Sequence, residues 1–178
     1  MISPSRVFGF MSKAEFHHQR HKEPSRLDRP RELVIVCPPM QSHVNSSRIV
    51  RAAGCCGVKR VIACGATKID RKIARDAVDY VQLETPRSLI PVLRRLKSDG
   101  FELVALEQTT DSAALYDFVF QRQTALVIGH ERTGLGEDIL SIMDQVAEIP
   151  VYGLPHSHNA ATAAAIAMYE YCRQFPNG

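Results

Sequence analysis

The residues with the greatest chemical potential lie in three short segments of this 178-residue chain. They are Pro38 to Asn45, Gly129 to Gly136 and Pro150 to Asn159, all rich in Gly, Pro, Ser, Asn and His. The middle segment, Gly129-His130-Glu131-Arg132-Thr133-Gly134-Leu135-Gly136, has the glycine spacing of a phosphate loop. The residues after Gly134 are leucine and glycine rather than lysine and a hydroxyl side chain. A charge to neutralise phosphates and a hydroxyl to hold magnesium are both missing, which argues against nucleoside triphosphate hydrolysis. Such a turn can still offer backbone groups to another kind of ligand, or serve only as a tight strand-to-helix connection. His130, His156 and His158 come with no cysteine pair and no HExxH pattern, so no metal is expected. Ser157 has a histidine on each side but no G-x-S-x-G elbow, which disfavours a serine hydrolase. Asn45 and Arg51 stand six residues apart on a helix and so at different heights along it. Asn45 suits a helix cap, and Arg51 suits a solvated or ion-paired surface as well as it suits a charge-stabilising role.

The elements that must position these residues alternate strand and helix. Leu33 to Cys37 is a buried strand, Asn45 to Cys56 a helix closed by Gly57, and Arg60 to Cys64 a second strand. A helix over Asp70 to Ala77 and a strand over Tyr80 to Leu83 follow. Thr85-Pro86 would cap a helix reaching Lys97, with Pro91 tolerated only near its start. Glu102 to Leu106 is a strand, Ser112 to Phe118 a short helix, and Ala125 to Ile128 a strand. Glu137 to Met143 is helical, Val146 to Ile149 a last strand, and His158 to Gln174 a long alanine-rich helix. This order predicts the α/β class, a parallel sheet with helices on both faces. Sheets of that kind bind ligands beyond the carboxyl ends of their strands, where the three segments fall.

Composition agrees with one globular α/β domain: 45% of residues are hydrophobic and 23% charged. The net charge of +3 is unevenly spread. Residues 1–31 carry seven Lys/Arg against three Asp/Glu, and the remainder fifteen against sixteen. The expected division is therefore a basic N-terminal arm over 1–31, able to neutralise phosphates, and a domain over 32–178. No apolar run approaches the roughly 20 residues of a bilayer span, and no secretory leader is visible, so a cytoplasmic location is expected. The five cysteines, 37, 55, 56, 64 and 172, show no CxxC spacing and are expected to be buried, reduced thiols.

Taken in order, the three segments resemble the three motifs of the TrmH (SpoU) family of SPOUT RNA methyltransferases. Asn45-Ser46-Ser47-Arg48-Ile49-Val50-Arg51, followed by Gly57-Val58, is similar to Asn-x5-Arg with its Gly-Val. Leu126-Val127-Ile128-Gly129-His130-Glu131-Arg132-Thr133-Gly134-Leu135 is similar to the apolar strand plus G-x-E-x-x-G-L. Ile149-Pro150-Val151-Tyr152-Gly153, with Ser157, Asn159 and the helix after it, is similar to I-P-M-x-G-x3-S-L-N. The sequence departs from the pattern at His158, where leucine is usual, at His130, and at Ala160. The resemblance spans roughly 33–174. It implies a Rossmann-like SPOUT fold with a C-terminal trefoil knot, a homodimer, and S-adenosylmethionine as cofactor. It also implies methylation of a ribose 2′-hydroxyl in RNA, with tRNA the first expected substrate and ribosomal RNA the next. By motif position the cofactor would meet Leu106, Ile128, Gly129, Gly134, Ile149, Gly153, Ser157 and His158. Catalysis would fall to Arg51, with Asn45, Glu131, Ser157 and Asn159 orienting it. The alternative is a catalytically inactive module that keeps the fold and binds RNA or the cofactor.

Overall fold

A computed structural model describes residues 15–20 and 22–178. The first half of the expected basic arm, 1–14, therefore lies outside the described residues, as does His21. Seven strands form one sheet in the order β3-β2-β1-β6-β4-β7-β5. They are β1 Leu33–Cys37, β2 Arg60–Ala63, β3 Gln82–Glu84, β4 Glu102–Leu106, β5 Ala113–Ala114, β6 Thr124–Ile128 and β7 Gln145–Glu148. Every pairing is parallel. The central strands β1 and β6 are buried at every position, the pattern of a sheet covered on both faces. Alternation divides the core in two. Leu33, Ile35 and Cys37 join a cluster with α1 His43–Cys55 and α6 Ala160–Gln174, while Val34 and Val36 join one with α4 Leu89–Ser98 and α5 Glu137–Leu140.

Local chemistry sets the helix ends. Ser42 caps α1, its Oγ accepting the Asn45 N–H at 3.2 Å, so Asn45 stands in the first turn rather than at the cap. The expected helix over Asp70 to Ala77 divides into α2 Arg71–Ala74 and α3 Ala77–Tyr80, because Arg75 turns to φ 57° between them. Ser88 rather than Thr85 precedes α4. Pro91 has no N–H and would clash with a carbonyl four residues back, so the helix must begin where Pro91 is in its first turn. The short helix expected over Ser112 to Phe118 does not form. Ala113 and Ala114 instead extend the sheet beside β7, and the Leu115 N–H donates to the Glu148 carbonyl at 2.7 Å. Edge pairing outweighs the weak helical preference of so short a segment.

The end of the basic segment packs on the domain. The Arg31 guanidinium is buried and donates to the Cys56 carbonyl at 2.7 Å and the Phe175 carbonyl at 2.5 Å. It thereby bonds carbonyls at the C-terminal ends of α1 and α6 together, where a cation is also favoured by both helix dipoles. Replacing Arg31 with alanine is expected to lower unfolding free energy by about 2 kcal/mol, the scale of hydrogen bonds to a charged group. Urea denaturation measures this, and an unchanged midpoint would contradict it. No helix among the described residues is long and apolar enough to cross a membrane.

Strand order fixes where a ligand can enter. The chain runs outward from β1 to β3, then crosses to place β4 on the far side of β6. The carboxyl ends of β6, β4 and β7 thus stand side by side next to the point where strand order reverses, the place where such sheets open a crevice.

Candidate functional site

A solvent-open cleft of about 750 Å³ occupies that place. Leu106 and Ile128 end β4 and β6, and Ile149 follows β7. With Val151, Ala160 and Ala163 they supply an apolar lining, while Glu107, His130, Glu131, Arg132, Ser157 and His158 supply polar groups. The turn 129–136 and the loop 150–159, distant in sequence, meet here.

The shape of the glycine turn is set by a side chain outside it. The Glu107 carboxylate accepts the Leu135 N–H through Oε2 and the Gln108 N–H through Oε1, each at 3.0 Å. A Cβ at Gly129 or Gly134 would stand 2.5 or 2.6 Å from that Oε2, so both positions must be glycine for the carboxylate to fit. Gly134 also adopts φ +63°, a left-handed conformation that side chains resist. The His130 and Gly134 backbones pair across the turn. His130 Nδ1 lies 3.2 Å from the Arg132 N–H and 3.3 Å from the Thr133 N–H, which makes it an acceptor. Its Nε2 then faces Glu131 Oε2 at 3.4 Å.

Glu131 joins the glycine turn to the start of α1. Its Oε1 accepts the Ser42 N–H at 3.1 Å. Its Oε2 is buried without a hydrogen-bond partner among the described residues. Burial pushes this carboxyl up, but the N–H groups of Glu131 and Ser42, the His130 ring and the Asn45 side chain together hold it below the ordinary value. Glu131 is therefore an anion at neutral pH. Asn159 caps α6, its Oδ1 accepting the Ala161 N–H at 3.0 Å, and its Nδ2 donates to Asn45 Oδ1 at 3.1 Å. One amide so ties the first turns of α1 and α6 together.

Of the residues singled out by sequence, Leu106, Ile128, Gly129, Gly134, Ile149, Ser157 and His158 line the cleft, as does Glu131. Asn45 and Asn159 lie outside its lining and reach it through the Glu131 network. Gly153 stands apart and exposed, with nothing within 4 Å of where its Cβ would be. Arg51 is exposed and does not line the cleft of its own chain. Six residues beyond Asn45, it lies about 9 Å further along the α1 axis and some 120° away around it. Among the described residues nothing holds it by hydrogen bond or ion pair. Sequence reasoning passed over Glu107 and Gln108. They follow a strand as the three chemically rich segments do, but Glu107-Gln108-Thr109 has no glycine or proline to mark it. Of the cysteines, 37, 56 and 64 are buried, whereas Cys55 is exposed and Cys172 half-buried. Burial pushes the Cys37 thiol up to about 12 and the Cys64 thiol to about 11, so both are inert. Among the described residues no group of three or more His, Cys, Asp or Glu is placed to hold a metal ion.

Comparison with known proteins gives this architecture relatives. The chain is 28% identical over 149 residues to a tRNA (guanosine(18)-2′-O)-methyltransferase of Escherichia coli, a match covering 82% of this chain and 65% of the relative. It is 29% identical over 150 residues to the enzyme of the same name from Aquifex aeolicus, covering 82% of this chain and 71% of that one. The chain thus spans slightly less than two thirds of the E. coli relative's length. The crystal structure of the A. aeolicus TrmH/SpoU tRNA modifying enzyme superposes with a TM-score of 0.78 at 28% identity, over 84% of this chain and 78% of that one. The seven-stranded parallel sheet with its covering helices is the SPOUT methyltransferase fold. The model of the SpoU rRNA methylase family matches residues 32–169, and the chain belongs to that family.

Proposed function

We propose that this protein is an S-adenosylmethionine-dependent RNA ribose 2′-O-methyltransferase whose substrate is tRNA. The observation that carries the reading is the meeting of the 129–136 turn with the 150–159 loop in one cleft beside an ionised, half-satisfied Glu131. The residues present fit the cofactor. The apolar lining suits a flat base, and the lining carboxylates suit a cation. The turn lacks the lysine and the hydroxyl that follow the second glycine of a phosphate loop. Relatives named for tRNA 2′-O-methylation support the choice of substrate.

When bound, S-adenosylmethionine supplies an electrophilic methyl group on a positively charged sulfur. The chain must then place a ribose oxygen in line with that methyl, which is a matter of positioning. Arg51 is exposed and outside the lining of its own chain's cleft, so the reading takes a homodimer in which the partner's α1 brings Arg51 to the cleft. Glu131 Oε2 has only the His130 ring 3.4 Å away and no hydrogen-bond partner among the described residues, which leaves it an acceptor for such a guanidinium. Arginine is a poor base, with a pKa above about 12. Its role is to grip an RNA phosphate and stabilise charge developing on the 2′-oxygen. Asn45 and Asn159 fix the α1 and α6 first turns against which Glu131 and Ser157 are set. The trefoil knot, the use of residues 1–31 as an RNA-contacting arm on a 32–178 domain, and a cytoplasmic location belong to the same reading.

Isothermal titration tests the pocket directly. The expected result is saturable binding of S-adenosylmethionine, about one per chain, with none for ATP. Binding of ATP but not of S-adenosylmethionine would reject the reading.

A further inference from the structure

Glu107 is a carboxylate of the cleft that neither the motifs nor the mechanism uses. Glycine-rich turns after a strand usually aim their N–H groups at an anionic ligand. Here that place is filled from within the chain: Glu107 takes the Leu135 and Gln108 N–H groups, and Gly129 and Gly134 are open only far enough to admit it. The turn's Leu135 N–H, which an anionic ligand could otherwise meet, is taken up by a carboxylate of the same chain. A ligand group reaching this part of the cleft must therefore donate hydrogens rather than carry phosphate oxygens.

An ionised carboxylate has about four lone-pair directions. The two backbone N–H groups use two, one on each oxygen, and Glu107 is only half-buried, with its side chain on the cleft lining. One further acceptor direction on each of two oxygens is the complement of two hydroxyls on adjacent carbons. Leu106, the preceding residue, and Ile128, preceding Gly129, belong to the apolar lining, so a base-binding surface and this acceptor pair are neighbours. We propose that Glu107 accepts hydrogen bonds from the ribose 2′- and 3′-hydroxyls of the bound nucleoside cofactor, making the cleft selective for an intact, unphosphorylated ribose. This rests on the reading of the cleft as a nucleoside site.

The test uses the full chain and S-adenosylhomocysteine, with its 2′-deoxy and 3′-deoxy analogues, in calorimetric titration. For the unaltered protein, loss of either hydroxyl is expected to weaken binding roughly tenfold, the scale of a hydrogen bond to a charged acceptor. In Glu107→Gln the parent compound is expected to bind about tenfold more weakly, and the penalty for deleting a hydroxyl to shrink below about threefold. Analogues that bind the unaltered protein as well as the parent does would overturn the proposal while leaving the nucleoside site intact. So would a Glu107→Gln variant that weakens all three compounds equally, since that is what a glutamate serving only to hold the turn produces. No binding of S-adenosylhomocysteine to the unaltered protein would defeat the cleft assignment itself, and this inference with it.

Discussion

Replacing Arg51 with alanine is expected to leave cofactor affinity unchanged and to lower methyl transfer by roughly 10²–10³, the loss typical of removing one electrostatic stabiliser. The first half of that expectation follows from position, since Arg51 is exposed and outside its own chain's cleft. The second half follows from the proposed contact between Arg51 and the cleft of the second copy. Mixing separates the two possible sources of the arginine. If it comes from the second copy, an Arg51→Ala chain combined with a Glu131→Ala chain regenerates up to one intact site per mixed dimer, and activity returns in part. If Arg51 acts within its own chain, the mixture stays inactive. Single-turnover rates with saturating cofactor make the comparison, and undiminished turnover in Arg51→Ala would remove the arginine from the mechanism.

Gly134→Ala is expected to weaken cofactor binding by up to about a hundredfold. The new methyl meets Glu107 Oε2 at 2.6 Å, and the backbone sits at φ +63°. A left-handed conformation costs a side-chain-bearing residue about 1–2 kcal/mol, and expelling the carboxylate forfeits its bond to the Leu135 N–H. Within the turn only Leu135 reaches a core cluster, while Gly129 to Gly134 belong to neither, so the glycine stretch can change shape with the sheet intact. The binding-competent shape then becomes a minor population, and apparent affinity falls by that fraction. Titration with S-adenosylmethionine reads the effect, and circular dichroism checks that the fold persists. An unchanged dissociation constant would show that the turn's shape does not matter to the ligand.

The legibility of this protein varied with how local the determining physics is. Leu33–Cys37 and Glu102–Leu106 were readable because a buried parallel strand needs an unbroken apolar run, and the run is written in the chain. The α6 helix was readable from its long alanine-rich run, expected over His158 to Gln174 and found over Ala160–Gln174 with Asn159 as its cap. Ala113–Ala114 was not, because two alanines become a strand only through the edge that β7 offers them. Within the site, the glycines and the Glu131, Ser157 and Asn159 side chains were legible through spacing that resembles family motifs. Glu107 was not, because its importance comes from filling a turn 22 or more residues away in sequence. Asn45 was legible as a residue of interest but not in its work: Ser42 caps the helix, and Asn45 faces Asn159 across 114 residues of chain. The place of Arg51 on α1 could be read from the chain, whereas the cleft it is proposed to serve would be a property of an assembly.

The product of the proposed reaction is a ribose methylated at its 2′-oxygen. Incubation of the protein with bulk tRNA and S-adenosylmethionine bearing a radiolabelled methyl, followed by digestion to nucleosides and chromatography, decides it. Label is expected in a 2′-O-methylnucleoside, from the unaltered protein and not from Arg51→Ala. Label in a base-methylated nucleoside, or bound cofactor with no transfer to any RNA offered, would contradict it.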